Sequence, residues 1–437
     1  MPGSKSLANR ELVLSALSSG PSVIRRPLRA RDTALMIEAL SALGAEIEDV
    51  RSGDSDEWRV RPVRSMRGGS RIDCGLAGTV MRFVPPIAAL ANGPVTFDGD
   101  EAARKRPMGP VLDALEQLGI IIDRGEGASD SLPFTVHGQG CVAGGELRID
   151  ASASSQFVSG LLLSAPRFHD GLTLHHTGER LPSTPHIDMT LQALRERGVE
   201  ARAIDERTWR VEPGEINGAS ITLEPDLSNA EPFLIAPIIC GGRVSTPDWP
   251  TSTTQVGDDL RRILPRFGAT IEHLSNGDLV CSVERGIIDG QRVEGVDLDL
   301  SHGGELAPNL ATLCALCASP SRITGIGHLR GHETDRIAAL AAELTRLGAS
   351  VRELDDGLEI IPIPAGGVAG SLGESIAWRA YADHRMATSG VIAGLAVADV
   401  QVDDIACTSK TMPNFTELWA GCLLYTSDAA DDMQCVD

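Results

Sequence analysis

Lysine is nearly absent from this sequence. It occurs at three positions, Lys5, Lys105 and Lys410, against 36 arginines. Arginine carries its charge on a planar fork and does not titrate, so it cannot replace a compact ammonium where one is needed. The three lysines are therefore candidate functional residues before any motif is considered.

Other absences narrow the field. No run of 18 or more apolar residues occurs, which excludes a membrane-spanning helix. No signal peptide precedes the first motif, and a cytoplasmic protein is expected. Positive charge is in deficit, with 39 basic against 60 acidic residues and a net charge of −21. A surface of that sign repels phosphate polymers, so neither nucleic acid nor membrane is expected as a partner. A small anion can still bind where basic residues converge. The nine cysteines are odd in number and follow no framework spacing. Cys314 and Cys317 form a C-x-x-C in LATLCALCASP, but no second cysteine pair or histidine pair completes a metal site. They read as two small buried hydrophobes, and no metal is expected. No Gly/Ser-rich or Pro-rich linker divides the 437 residues, although that length suits about two domains.

What is present is a repeat. A helical pattern, then Leu, Phe or Arg, then Gly, then a short apolar strand recurs as MIEALSALGAEIE, VLDALEQLGIIID, TLQALRERGVEAR, LRRILPRFGATIE and LAAELTRLGASVRE. The glycines are Gly44, Gly119, Gly198, Gly268 and Gly348, and a sixth step ends near Gly421. Apolar residues at i, i+3, i+4 and i+7 mark one amphipathic helix per unit, and each Gly suits a left-handed C-cap. Six such units predict an α/β protein of two pseudo-three-fold domains, three units each, rather than a solenoid. The expected boundaries are 3–225 and 226–421. Residues 422–437, CLLYTSDAADDMQCVD, show no helix period and read as a foreign tail.

Several short motifs place polar groups at helix starts. PGSKSLANR is not a Walker A loop, since G-x-x-x-x-G-K-[ST] is absent. Ser4 or Ser6 can cap a helix beginning near Leu7, whose free N–H groups would attract an anion beside Lys5, with Arg10 one turn on. In DCGLAGTVMRF the small residues around Gly78 allow close backbone approach, and Arg82 follows by one turn. Arg104, Lys105 and Arg106 precede Pro107, a helix-start signal. Ser152, Ser154, Ser155 and Gln156 lead an apolar helix. HLRGHETDRIAAL packs Arg330, His332, Glu333, Asp335 and Arg336 together, and a Glu among cations is suited to proton transfer. His384 and Arg385 precede another apolar helix, and Lys410 lies between Ser409 and Thr411. Each signal also has an ordinary structural reading as a cap or solvated loop.

Taken in order, PGSKSLANR, GLAGTVMRF, RPMGP, SASSQF, HETDR, DHRMA and SKT closely resemble the enolpyruvyl transferases, from Gly3 to about Trp419. The resemblance implies an inside-out barrel of βαβαββ-type units and a substrate cleft between two domains. It also implies a monomer acting on small anionic substrates without metal or organic cofactor. The implied reaction moves the enolpyruvyl group of phosphoenolpyruvate to the 5-hydroxyl of shikimate 3-phosphate, in aromatic amino acid biosynthesis. The first domain is the shikimate 3-phosphate side. By resemblance, Lys5, Ser6, Arg10, Ser154, Ser155, Gln156, Ser183, Glu305 and His332 meet shikimate 3-phosphate. Lys5, Gly78, Arg106, Gln156, Arg336, Arg385 and Lys410 meet phosphoenolpyruvate. Glu305 is the implied base for the attacking hydroxyl, and Glu333 exchanges the proton at the enolpyruvyl methylene, with Lys5 as a further donor. The herbicide glyphosate competes with phosphoenolpyruvate in this family, and the small Gly78 implies sensitivity. Many members carry Asp in place of Glu305, Asn in place of Leu76, Tyr in place of His186, and Asn and Lys in place of His328 and His332. Lys105 matches no ligand position. The family also has a strand ahead of Pro-Gly-Ser-Lys, so an edge strand is expected to be missing from the second domain. Alternatives are the sister transferase acting on UDP-N-acetylglucosamine, whose reactive loop Cys has no counterpart here, an RNA-binding relative of the same repeat, and a truncated, inactive member.

Overall fold

The computed structural model describes the chain except residues 53–54, 126–129, 365–374 and 432–437, with only the backbone of residue 55 and of residues 424–431. It divides into two compact units, Pro2–Glu224 and Pro225–Asp437, with Met1 joining the latter.

Residues 2–224 hold three repeats. Each has a wholly or largely buried helix, an amphipathic helix and a four-stranded sheet. The buried helices are Lys5–Leu17, Gly78–Ala88 and Gln156–Ser164, and the amphipathic ones are Arg31–Ala42, Gly109–Gln117 and Pro185–Glu196. Every sheet has the same pattern, one parallel pair followed by two antiparallel pairs. The parallel pairs are Ser22–Arg25 with Ser220–Thr222, Ser70–Asp73 with Asn92–Asp98, and Gly145–Ile149 with Leu172–His176. Strand Ser220–Thr222 comes from the far end of the unit, so the third repeat closes on the first.

Residues 225–437 repeat the theme less fully. Their buried helices are Glu231–Cys240, Ala307–Ala315 and His384–Ala396. Strands Gly242–Thr246, Leu279–Val283 and Thr270–His273 form an antiparallel sheet. Asp297–Asp299, Ser321–Thr324, Gly357–Ile361 and Ser350–Leu354 reproduce the four-stranded pattern, and Ile376–Trp378 pairs in parallel with Val400–Val402. Each unit has its own apolar core.

The glycine-ended repeat marks one helix per unit, whereas the structure has two, and the second is expected only where a motif leads it, as near Leu7, after Gln156 and after Arg385. The period-3.6 pattern exposes only the amphipathic set, because a helix that is apolar on all sides has no polar face to mark its turns. Glu231–Cys240, EPFLIAPIIC, is of that kind. The capping glycines behave as expected at five sites, with φ of 113° at Gly44, 82° at Gly119, 81° at Gly198, 87° at Gly268 and 105° at Gly348. Gly421 differs, since it lies within the helix Phe415–Asp431. One glycine costs a helix about 1 kcal/mol and does not end it without a capping geometry. That helix also crosses into the stretch expected to lack helical order, and the rest of that stretch, 432–437, lies outside the described residues.

Candidate active site

Four of the motifs, PGSKSLANR, GLAGTVMRF, SASSQF and DHRMA, sit at the N-terminal ends of buried helices, where four backbone N–H groups lack intrahelical acceptors, while RPMGP and HETDR lead the amphipathic helices Gly109–Gln117 and Arg336–Arg346. In residues 2–224 these ends are tied together. Asn9 Nδ2 donates to Thr79 Oγ1 at 2.9 Å, and Arg10 Nη2 donates to Ser159 Oγ at 3.3 Å. Ser4 is the N-cap of helix Lys5–Leu17, its Oγ accepting from Leu7 N. Lys5 opens that helix, partly exposed, with Nζ 3.4 Å from Asp32 Oδ2. An ammonium at a helix start opposes the helix dipole, so the Asp32 carboxylate offsets an unfavourable placement.

Gly78 lies amid three polar side chains. A Cβ at this position would fall 2.9 Å from Arg82 Nη1, 3.1 Å from Arg106 Nη2 and 3.1 Å from Gln156 Oε1. Arg106 Nε and Gln156 Oε1 are buried with no hydrogen-bond partner among the described residues. Buried polar atoms of this kind cost free energy unless something pairs with them, and a small anion with donors and acceptors would do so. Only Arg106 of the basic trio turns inward. Arg104 grips Asp98 with two hydrogen bonds of 2.9 Å, and the exposed Lys105 lies 3.7 Å from Glu101. The next helix begins at Gly109 with Pro110 in its first turn, two residues later than Pro107 suggested.

Arg10 is 1% exposed. Its Nε donates to Thr190 Oγ1 at 2.8 Å, Nη1 to the Ser6 carbonyl at 2.9 Å and Nη2 to the His186 carbonyl at 2.8 Å. It thus braces the backbone of Ser6 and His186. Ser155 is buried, while Ser154 Oγ accepts from Gln156 N at 3.3 Å and fixes the start of the third helix. Ser183 has φ of 53°, left-handed without being glycine, a local strain of the sort that surrounding structure must impose.

Residues 225–437 hold the carboxylates. Glu333 lies between two cations, with Lys410 Nζ on Oε1 and Arg336 Nη2 3.2 Å from Oε2. Arg336 is buried, donates to both oxygens of Asp383 at 2.7 and 3.1 Å, and lies 3.3 Å from His332 Nδ1. Burial alone would weaken its hold on a proton, but Asp383 and Glu333 reverse the effect and its pKa is raised. Asp383 also caps helix His384–Ala396, accepting from Arg385 N at 2.9 Å. His384 and Arg385 are therefore the first residues of that helix rather than residues ahead of it. Arg385 Nη1 donates to the Ser228 carbonyl at 2.6 Å, and its Nη2 lies 3.9 Å from Glu305 Oε1, which accepts from Ser228 Oγ. Asp335 caps helix Arg336–Arg346 by accepting from Ala338 N at 3.0 Å. The rings of His328 and His332 meet edge to face, 5.7 Å between centroids.

The structure adds residues that sequence reasoning missed. Asp32 and Ser228 carry no signal of their own. Asp383 does, as an acidic residue directly ahead of an apolar helix. Glu231, fully buried at the head of an otherwise apolar helix, was also legible. Among the described residues no group of His, Cys, Asp and Glu could hold a metal ion. Cys314 and Cys317 are buried, and burial pushes both thiols up, Cys314 to about 12.

Known proteins share this fold. EPSP synthase from Acinetobacter baumannii superposes with a TM-score of 0.74 at 22% identity, covering 96% of this chain and 94% of that one. The enolpyruvyl transferase NikO from Streptomyces tendae superposes with a TM-score of 0.69 at 18% identity, covering 95% and 92%. The fold is that of the two-domain enolpyruvyl transferases. A family model described as EPSP synthase (3-phosphoshikimate 1-carboxyvinyltransferase) matches residues 1–419. A 3-phosphoshikimate 1-carboxyvinyltransferase of Kocuria rhizophila is 55% identical over 428 residues, covering 96% of this chain and 92% of that protein. The chain belongs to the EPSP synthase family, and its activity is that of the shikimate-pathway transferase rather than of the UDP-N-acetylglucosamine enzyme.

Proposed function

We propose that this chain moves the enolpyruvyl group of phosphoenolpyruvate to the 5-hydroxyl of shikimate 3-phosphate by addition and elimination. The observation that carries the reading is Glu333, a carboxylate shared between Lys410 and Arg336. Addition to the enol phosphate requires a proton delivered to the methylene carbon while the attacking hydroxyl loses one, so two carboxylates in different surroundings suit the step. Glu333 exchanges the methylene proton. Glu305, beside Arg385 and Ser228, takes the hydroxyl proton. Elimination returns the methylene proton to Glu333 and expels phosphate. Lys5 meets the leaving phosphate, where an ammonium can also donate a proton and arginine cannot.

Phosphate and carboxylate together call for several cations, with arginine favoured for two-point grips. Arg106, Arg336, Arg385, Lys410, Lys5, Gln156 and the open backbone at Gly78 serve phosphoenolpyruvate. Ser6, Arg10, Ser154, Ser155, Ser183, Gln156, Glu305, His332 and Lys5 serve shikimate 3-phosphate, with Arg10 also holding the Ser6 carbonyl. The reading includes a cytoplasmic monomer whose partners are small anions and not nucleic acid or membrane, with domains at 3–225 and 226–421. No helix among the described residues is long and apolar enough to cross a membrane.

The test is phosphate release from the two substrates by wild type and Lys5→Met. Wild-type turnover with a large loss in the variant is expected. Equal rates would overturn the role of Lys5, and release with UDP-N-acetylglucosamine in place of shikimate 3-phosphate would overturn the substrate.

A further inference from the structure

Glu231 takes no part in the scheme above, yet it is the first residue of a buried helix beside it. The other nine residues of Glu231–Cys240 are Pro, Phe, Leu, Ile, Ala and Cys, and Glu231 itself is 0% exposed. A carboxyl group buried in this way is costly, and packing alone would favour an apolar residue. Its oxygens differ. Oε2 accepts from Asn309 Nδ2 at 2.8 Å and lies 3.9 Å from Arg385 Nη1. Oε1 has no hydrogen-bond partner among the described residues.

Asn309 continues the chain. Its Oδ1 accepts from Thr388 Oγ1 at 3.0 Å and Ser389 Oγ at 3.2 Å. Those hydroxyls also lie 3.0 and 2.8 Å from the carbonyl oxygen of Arg385. A buried polar line therefore joins all three apolar helices of this unit and ends on the turn that carries Arg385. The charged groups that act on Glu231 are Arg385 and Glu305. Burial is the largest influence and raises its pKa well above the usual range, with Arg385 and Asn309 opposing the rise.

We propose that Glu231 is a positioning residue for phosphoenolpyruvate binding, which fixes Arg385 both by its own approach and through Asn309, Thr388 and Ser389. It does not touch the ligand. It sets the pose in which the guanidinium meets an anionic group, and so rests on the reading that Arg385 binds phosphoenolpyruvate. A carboxylic acid or an amide can both accept from Asn309, so the hydrogen bond matters more than the charge.

The experiment compares Glu231→Ala and Glu231→Gln with wild type in the full chain, measuring kcat and the KM of each substrate. Glu231→Ala is expected to raise the KM of phosphoenolpyruvate about tenfold, the scale of one lost buried hydrogen bond with its partner left unsatisfied. The KM of shikimate 3-phosphate and kcat should stay within about twofold, and Glu231→Gln should restore the KM to within about threefold of wild type. If the alanine variant does not fold, Glu231→Met fills a similar volume and carries the same expectation. An unchanged KM in the alanine or methionine variant overturns the inference. So does a loss spread equally over both substrates and kcat, or a glutamine variant no better than alanine. A wild-type chain that releases no phosphate from the two substrates would instead overturn the reading beneath it.

Discussion

In residues 2–224 two fully buried arginines, Arg10 and Arg197, hold groups of the protein itself. Arg10 braces two backbone carbonyls, and Arg197, wholly buried, donates to Glu11 Oε2 at 2.6 Å and to Ser15 and Ser22. In residues 225–437 the buried arginines instead hold carboxylates, among them Glu333 and Glu305, the two proposed for the chemistry. Arg336 links Glu333 to Asp383, and Arg385 lies between Glu231 and Glu305. The same three-helix frame thus supports two uses of buried charge. Where a carboxylate meets one arginine whose remaining donors go to hydroxyls and carbonyls, the pair is a structural fixture. Where one carboxylate is divided between two cations, its proton affinity is open to adjustment by whichever cation a ligand draws away.

The contrast can be broken at its strongest point first. Glu333→Gln keeps the size and removes the exchangeable proton. Its kcat for phosphate release should fall about 10²- to 10⁴-fold with little change in the urea midpoint. A large loss of stability with modest loss of rate would place Glu333 among the structural acids. Arg197→Ala is the converse. It strands Glu11 in the core and should cost about 3–5 kcal/mol by urea unfolding, with both KM values of the folded protein unchanged. Gly78→Ala is next in size. The methyl would press on Arg82, Arg106 and Gln156, and crowding of about 1–3 kcal/mol should appear as a raised KM for phosphoenolpyruvate. The same variant should resist glyphosate better than wild type, which millimolar glyphosate is expected to inhibit.

The smallest effect is one of pH. Burial raises Glu231 above its ordinary value of 4.5. As pH climbs past that value the unfolded chain loses this proton while the folded one keeps it, so the folded state binds more protons and stability falls with rising pH. The slope is at most about 1.4 kcal/mol per pH unit and ends once the folded carboxyl ionises. Glu231→Gln removes the term, so its urea midpoint relative to wild type should be higher at pH 8 than at pH 5. A difference that is the same at both would show Glu231 ionised throughout, as an acid in a strong ion pair would be.

Much of this was legible in the residues. The glycine-punctuated repeat led to the α/β class, and five of its glycines do adopt the left-handed conformation that only a residue without Cβ takes easily. The buried helices are legible only through the motifs at their starts, because they lack a polar face. Lysine scarcity singled out Lys5 and Lys410, both of which pair with carboxylates, and also Lys105, which pairs only with exposed Glu101.

By itself the sequence determined the repeat, the ordered motifs and therefore the family, since these are local patterns of residue type and spacing. Tertiary structure alone decided that Arg10 supports the backbone while Arg106 turns toward Gly78. It alone set Glu333 between Lys410 and Arg336, and Glu231 beneath Arg385. Apart from the local Glu333–Arg336 and Arg10–Ser6 contacts, those pairings join residues tens of positions apart or more, and their energies depend on burial and on distances of a few ångströms. No spacing along the chain encodes either quantity.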